Sequence, residues 1–341
     1  METKRLTAAP EDIATAARLL QSGEVVGIPT ETVYGLAANA LSGEAAAKIF
    51  AAKGRPADNP LIVHIASLDQ LPPLVSAVPE TARRLAALWW PGPLTMIFPK
   101  SDLIPHEVSA GLQTVAVRFP AHPVAQAIIR AAGLPLAAPS ANRSGSPSPT
   151  TAAHVLADMD GRIAAVVDGG ESGVGVESTV IDLTGERPCL LRPGGITPDM
   201  LRQAVGEIEI HPAVTAMLDQ GMTAASPGMK YKHYAPRANV TLLRGSAAAY
   251  RRFVNEHAAP GVAAMCFDGE EEGLTVPYVT YGHRDNAAEQ AHRLFDVLRG
   301  WDDRPEVTQV YTACPAADGV GLAVYNRLLR SAEFEVIALE D

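Results

Sequence analysis

The chain has 341 residues, of which 47% are hydrophobic and 19% charged, so it has enough apolar material for a core and is not intrinsically disordered. Its 28 basic and 38 acidic residues give a net charge of −10, which disfavours nucleic-acid binding through charge alone. The length predicts a domain of about 200 residues with a smaller companion.

Alternating strand and helix patterns in the first part of the chain predict an α/β domain over residues 1–208. Helices are expected at 10–22, 43–53 and 124–132. Strands are expected at 25–28, 61–65, 94–98, 115–119, 136–138, 165–168 and 179–183, with a further strand ending at Arg192. The glycine-rich stretch 169–175 lacks the strand-to-helix setting of a phosphate-binding loop and is interpreted as a mobile hairpin loop.

An irregular segment at 209–238 is interpreted as a linker, after which the strand and helix pattern resumes. Residues 239–341 contain strand patterns at 240–243, 262–267, 278–281 and 307–311 and helix patterns at 247–257, 286–299 and 322–330. We expect a smaller α/β domain with a parallel sheet.

The cysteines Cys189, Cys266 and Cys314 are odd in number and widely spaced, so neither a disulfide framework nor a cysteine zinc site is expected. The first ten residues lack the apolar run of a signal peptide, and no stretch has the length of a membrane span. We therefore expect a cytoplasmic protein without membrane contact.

Polar residues follow several of the predicted strands. Thr30, Glu31 and Thr32 come directly after a buried strand, where open α/β sheets place ligands, although the threonines could instead cap a helix. Lys53 and Arg55 end a helix, where they could bind an anion or only complement the helix dipole.

Other strand ends repeat this pattern. His64 stands among apolar residues and could be a core histidine, and Arg118 interrupts a β-branched run, where it needs an anionic partner from either a salt bridge or a substrate carboxylate. The loop 137–150 is rich in serine and proline, and polar residues also stand at Ser178 and Arg192. Gathered into one crevice, these groups would suit an anionic, hydroxyl-rich ligand beside a small polar substrate.

Five motifs occur in order along the chain: Pro-Thr-Glu-Thr-Val-Tyr-Gly-Leu at 29–36, Lys-Gly-Arg-Pro-x-x-Asn-Pro-Leu at 53–61, Trp-Pro-Gly-Pro-Leu-Thr at 90–95, Pro-Ser-Ala-Asn at 139–142 and Leu-Arg-Pro-Gly at 191–194. With them the chain resembles the YrdC-like threonylcarbamoyl-AMP synthase family. Ser-Pro-Gly-Met-Lys-Tyr-Lys-His-Tyr-Ala-Pro at 226–236, followed by a second domain, is similar to the long, Sua-type form.

The resemblance implies a twisted open-sheet YrdC-like catalytic domain and a smaller Rossmann-like C-terminal domain. It implies an enzyme, a nucleotidyltransferase, that makes threonylcarbamoyl-AMP and pyrophosphate from L-threonine, bicarbonate and ATP, with magnesium accompanying the ATP. The product would pass to a tRNA threonylcarbamoyl-transfer complex, and direct tRNA binding would be weak or absent.

The resemblance also assigns site residues. The threonine pocket would contain Thr32, His64, Arg118 as carboxylate clamp, Ala138 through its backbone, and Ser178. ATP would contact Lys53, Arg55, Asn59, Thr114, Ser140, Ser148, Arg192 and, from a linker acting as a lid, Tyr231; Lys53 and Arg55 would act in catalysis, and no protein ligand is assigned to a metal.

Two other functions stay open on the sequence alone. An RNA-binding module could use the same cleft without catalysis, and its affinity would depend steeply on salt. A carbamoyl-transfer relative could act on another acceptor.

Overall fold

A computed structural model of the protein describes residues 2–217 and 233–340, which form two compact units. The first is built on residues 2–144 and 148–214, and the second on 233–340 with the short segments 145–147 and 215–217. Within the described ranges, no helix combines the length and the apolar composition needed to cross a bilayer. The predicted lid residue Tyr231 and its neighbours Lys230 and Lys232 lie outside these ranges.

The first unit contains an eleven-stranded sheet flanked by helices. Its strands are β1 (Lys4–Leu6), β2 (Val26–Ile28), β3 (Gly35–Asn39), β4 (Ile62–His64), β5 (Leu94–Pro99), β6 (Thr114–Arg118), β7 (Leu136–Ala137), β8 (Ala165–Val167), β9 (Thr179–Asp182), β10 (Cys189–Arg192) and β11 (Glu209–Ile210). Its helices are α1 (Pro10–Gln21), α2 (Gly43–Lys53), α3 (Glu80–Trp89), α4 (His106–Ser109), α5 (Pro123–Ala132), α6 (Ala152–Met159) and α7 (Pro198–Val205).

The strand order is β1-β8-β2-β3-β7-β4-β6-β5-β9-β10-β11, with parallel and antiparallel pairs mixed. β8 pairs with β1 and β2, whereas β9 pairs with β5 and β10, so residues 168–178 connect distant parts of the sheet. The hairpin predicted for 169–175 is therefore wrong, because β8 and β9 are neighbours in sequence but not in the sheet.

Helix α2 shows how local sequence directs the chain towards the site. The Ser42 side chain accepts a hydrogen bond from the Ala45 backbone N–H and so caps the start of the helix. Gly54 adopts a left-handed conformation with φ of 63°, which ends the helix at little steric cost. The chain therefore turns sharply between Lys53 and Arg55, and the two side chains contact different segments, Lys53 the loop at Ser140 and Arg55 the turn at Asn59.

The second unit is a smaller parallel α/β sheet. It consists of β12 (Asn239–Arg244), α8 (Ala247–Glu256), β13 (Val262–Cys266), β14 (Tyr278–Thr280), α9 (Ala287–Gly300), β15 (Gln309–Ala313), α10 (Gly321–Ser331) and β16 (Val336–Ala338). All pairs in the order β14-β13-β15-β12-β16 are parallel. The predicted fold class, a large α/β sheet domain with a smaller α/β companion, is confirmed.

Candidate active site

Neighbouring strands bring polar side chains to one edge of the larger sheet. Arg118, the last residue of β6, lies in register with His64, the last residue of β4, and with Thr95 near the start of β5. Since β5 runs antiparallel to β6, the beginning of one strand meets the end of the other. Residues far apart in sequence therefore meet at one place.

The next two strands extend this row. β9 runs parallel to β5 and starts at Thr179 opposite Leu94, which places Ser178 beside Thr95. β10 runs antiparallel to β9 and ends at Arg192. The row of polar side chains thus continues through Ser178 to Arg192.

Arg118 is 4% exposed, and three protein groups hold its guanidinium. Nη1 donates to Thr32 Oγ1 at 2.8 Å, Nε donates to the Gly92 carbonyl oxygen at 3.3 Å, and Nη2 lies 2.7 Å from Glu31 Oε1. Burying this charge is tolerable because the ion pair and the hydrogen bonds replace its hydration. The anionic partner that the sequence required is therefore present within the protein.

The charge states of the two groups beside Arg118 follow from burial and from its guanidinium. Burial raises the pKa of Glu31, but the attraction and hydrogen bonding of Arg118, together with backbone hydrogen bonds, outweigh it and leave this pKa below its ordinary value, so Glu31 is anionic. Burial, reinforced by Arg118, lowers the pKa of His64 to about 3, so its imidazole is neutral. This part of the site offers a fixed cation, a carboxylate and a neutral imidazole.

Ser178 and Arg192 form a second pair of contacts in the row. Arg192 donates from Nε to the Ser178 carbonyl oxygen at 3.1 Å and from Nη2 to Ser178 Oγ at 3.3 Å. Thr95 Oγ1 lies 2.7 Å from the same Ser178 hydroxyl. Ser178 is thereby held from two sides.

Backbone hydrogen bonds fix the segment that carries Thr32. Ala141 N donates to Tyr34 O, and Val174 N and Gly175 N donate to Glu31 O and Thr32 O. The segment leads into strand β3, so the alternative that its threonines cap a helix is wrong. The backbone N–H of Ala138 donates to Ile62 O, which leaves the Ala138 carbonyl oxygen as the group that could contact a ligand.

Lys53 is 4% exposed and contacts the serine-rich loop directly. Its ammonium donates to the carbonyl oxygens of Ser140 at 2.5 Å and Asn142 at 2.7 Å. The Ser144 N–H donates back to Lys53 O. Lys53 therefore connects the end of α2 to the loop and places its positive charge beside that loop.

Arg55 and Asn59 lie in the turn after α2. The half-buried Arg55 donates to the Asn59 carbonyl oxygen at 3.3 Å. Asn59 is 1% exposed, and neither its side-chain oxygen nor its side-chain nitrogen has a hydrogen-bond partner among the described residues. Since a buried amide normally has partners, this side chain is prepared to bind a polar ligand.

The remaining predicted ATP contacts are spread more widely. Ser148 is fully buried and donates to Glu177 Oε1 at 2.5 Å, while Ser140 is half-buried. Thr114 starts β6, four residues before Arg118 and on the same face of the strand, about 13 Å away. Thr114 and Arg118 do not meet, and only a ligand lying along the strand could contact both.

Sequence reasoning missed the protein groups that hold the site side chains. Glu31, Thr95, Asn142 and Glu177 each bond to a predicted site residue, yet none was assigned to the site. Glu31, Thr95 and Asn142 lie inside recognised motifs and Glu177 directly precedes the assigned Ser178, which is the signal that could have indicated them.

Fold and site together define an α/β protein of two units with a buried, arginine-containing polar site at one edge of its larger sheet. The model of the Sua5/YciO/YrdC family, described as "Telomere recombination", matches residues 18–194. A second model, "Threonylcarbamoyl-AMP synthase, C-terminal domain", matches residues 196–333.

Similar proteins extend over nearly the full chain. Threonylcarbamoyl-AMP synthase of Bacillus subtilis strain 168 is 46% identical over 98% of this chain and 97% of its own. Threonylcarbamoyl-AMP synthase of Pyrococcus abyssi is 46% identical over 95% of each chain. The crystal structure of P. abyssi Sua5 complexed with L-threonine superposes with a TM-score of 0.92 at 43% identity, covering 100% of both chains. The chain belongs to the threonylcarbamoyl-AMP synthase family of enzymes, in the long form that carries a C-terminal domain.

Proposed function

We propose that the protein converts L-threonine, bicarbonate and ATP into threonylcarbamoyl-AMP, pyrophosphate and water. The observation that carries this proposal is the row of Arg118, Ser178 and Arg192 along one sheet edge, with Lys53 and the orphaned amide of Asn59 in the same unit. The arginines and the hydroxyl of the row suit the carboxylate of an amino acid, and Lys53 with Asn59 suits the phosphates of a nucleotide. The name of the similar proteins and the L-threonine in the P. abyssi complex support this substrate class.

The amino acid would bind at the Arg118 end of the row. A guanidinium has five N–H groups, so Arg118 keeps N–H groups beyond those directed at Thr32, Gly92 and Glu31, and these would hold the carboxylate of L-threonine. His64, being neutral, would contribute a hydrogen bond rather than a charge. Thr32, Ser178 and the Ala138 carbonyl would complete the pocket.

ATP would bind among Lys53, Arg55, Asn59, Thr114, Ser140, Ser148, Arg192 and Tyr231. Magnesium would arrive as the ATP complex, because Lys53, Arg55 and Arg192 are cations and cannot serve as its ligands. Phosphate oxygens and water, which Mg²⁺ commonly uses, would hold it instead. The cations would stabilise the charge that develops on the leaving pyrophosphate.

The reaction would proceed in two steps within this unit. The unprotonated amine of L-threonine first takes up the bicarbonate carbon to form a carbamate, with loss of water. A carbamate oxygen then attacks the α-phosphorus of ATP, the bond to the β-phosphate oxygen breaks, and pyrophosphate leaves. Because AMP is transferred, the enzyme is a nucleotidyltransferase, and its rate comes from alignment of reactants and fixed cations without a covalent enzyme intermediate.

The product, a mixed anhydride, would be consumed by a threonylcarbamoyl transfer to tRNA. Its sensitivity to water requires that it pass on rapidly or be shielded. We propose that a linker lid containing Tyr231 provides that shielding.

Substrate omission tests the proposal. Pyrophosphate release should require L-threonine, bicarbonate and ATP together, and mass spectrometry should detect threonylcarbamoyl-AMP. Equal pyrophosphate release without L-threonine would contradict the proposed function. Activity with another amine in place of L-threonine would assign the site to a related carbamoyl transfer.

A further inference from the structure

The motif Trp90–Thr95 contributes no residue to the assigned substrate contacts, yet it supports two of them. The Gly92 carbonyl oxygen accepts from Arg118 Nε, and Thr95 Oγ1 contacts Ser178 Oγ. A side chain at position 92 would collide with the Trp89 carbonyl oxygen, so only glycine allows this path of the backbone. The motif therefore lies behind the threonine pocket and holds its side chains in place.

Thr95 is completely buried, and the family resemblance assigns it no substrate contact. Its hydroxyl lies 2.7 Å from Ser178 Oγ, and among the described residues it has no other side-chain hydrogen-bond partner. The question is which of the two hydroxyl groups donates.

The acceptors available to each hydroxyl hydrogen decide the direction of this hydrogen bond. If Ser178 donated to Thr95, the hydrogen of Thr95 would be buried without an acceptor in the described part of the chain, which is strongly disfavoured. If Thr95 donates, its hydrogen is satisfied, and the hydrogen left without an acceptor among the described residues is that of Ser178, the residue assigned to the L-threonine pocket, where a ligand oxygen can accept it. Ser178 Oγ then accepts from Thr95 and from Arg192 Nη2, which uses both of its lone pairs.

We propose that Thr95 is a positioning residue that fixes the direction of the Ser178 hydroxyl, so that Ser178 presents its hydrogen to the ligand. Ser178 can then only donate, and it selects an acceptor: a carboxylate, carbonyl or carbamate oxygen. The ammonium or amine hydrogens of an amino acid find no acceptor at Ser178 Oγ. This inference deepens the proposed function and rests on it.

The test measures binding of L-threonine to the full-length protein by calorimetry, together with the KM values for L-threonine and ATP. Thr95→Val removes the hydroxyl while keeping the shape of the side chain, and should weaken L-threonine binding about 3- to 10-fold with the KM for ATP unchanged. Thr95→Ser keeps the hydroxyl and should restore binding.

Thr3→Val is the matched control. Thr3 is also buried in the first unit and donates to Ile163 O, but it lies beside the starts of β1 and β8, away from the row. This variant should lose stability and keep the affinity of the wild type for L-threonine. If Thr95→Val does not fold, Thr95→Ala removes the same hydroxyl without placing a second methyl group near Ser178.

A double-mutant cycle with Ser178→Ala separates positioning from general structural damage. Because Thr95 acts through Ser178, Thr95→Val should change L-threonine affinity less than twofold in the Ser178→Ala background. Additive losses, an unchanged affinity in Thr95→Val, or an equal rise in the KM for ATP would each overturn the inference. Failure of the wild type to bind L-threonine would instead overturn the proposed function.

Discussion

Replacing Arg118 by alanine removes the centre of the proposed threonine pocket and should affect both stability and substrate use. The change deletes an ion pair of 2.7 Å with Glu31 and hydrogen bonds to Thr32 and Gly92, and it leaves Glu31 buried with no cation. Breaking a buried pair from one side costs about 3–5 kcal/mol in free energy of unfolding. The KM for L-threonine should rise sharply, while ATP binding should stay largely intact.

The pH dependence of this loss provides a further check. In the wild type the pKa of Glu31 is below its ordinary value, so the pair contributes stability above that value and loses it as the pH falls through the lowered pKa. Without Arg118, its attraction and hydrogen bonding no longer oppose burial, so the pKa of Glu31 should be higher than in the wild type. The stability difference between wild type and Arg118→Ala should therefore be larger at pH 7 than at pH 5.

Urea unfolding followed by tryptophan fluorescence measures this difference. Trp301 lies in the second unit, so a Trp301→Phe background restricts the signal to Trp89 and Trp90 in the first unit. The double variant Arg118→Ala with Glu31→Gln should recover part of the stability and lose the extra pH dependence, because no unpaired carboxylate remains. A stability loss below about 1 kcal/mol would contradict the buried ion pair, and an unchanged KM for L-threonine would contradict the role of Arg118 as carboxylate clamp.

Three further changes test other parts of the site. Arg55→Ala should abolish threonine-dependent pyrophosphate release, whereas the control Arg83→Ala, at an exposed position, should not. Normal turnover in Arg55→Ala would show that Arg55 has no part in catalysis. Asn59→Leu should raise the free energy of unfolding by about 1–3 kcal/mol, because it replaces a buried amide that has no hydrogen-bond partner among the described residues. It should also raise the KM for ATP. A less stable variant would show that the amide has hydrogen-bond partners. The pKa of His64 is lowered from 6.5 to about 3, so the free energy of unfolding should fall as the pH drops below 6.5, by up to about 1.4 kcal/mol per pH unit. This pH dependence should be absent in His64→Gln. An NMR titration that shows His64 protonating near pH 6.5 would contradict it.

Sequence patterns predicted the elements whose side chains alternate or repeat clearly. Helix α2 has the predicted bounds, since Ser42 and Gly54 mark its ends. Strand β3 was missed because its residues Gly35–Asn39 are small and lack the β-branched composition of strands. The connection 168–178 was misread because strand pairing depends on contacts that are distant in sequence.

The site was predictable to the extent that its motifs are contiguous. Chain order indicated which segments carry polar residues, and strand register then brings Arg118 beside His64 and Thr95. What a linear pattern could not give is the direction of each side chain. Lys53 turns to the loop at Ser140, and Arg118 pairs with Glu31, because buried charges must find partners in three dimensions.

The proposed function requires that one site joins L-threonine, the carbon of bicarbonate and AMP. Incubation with ¹³C-bicarbonate, L-threonine and ATP, followed at once by mass spectrometry, tests it most directly. We expect threonylcarbamoyl-AMP that carries one ¹³C atom, that forms at the same rate as pyrophosphate, and that is not made by Arg118→Ala. Pyrophosphate accompanied only by unlabelled AMP, with or without L-threonine, would contradict it.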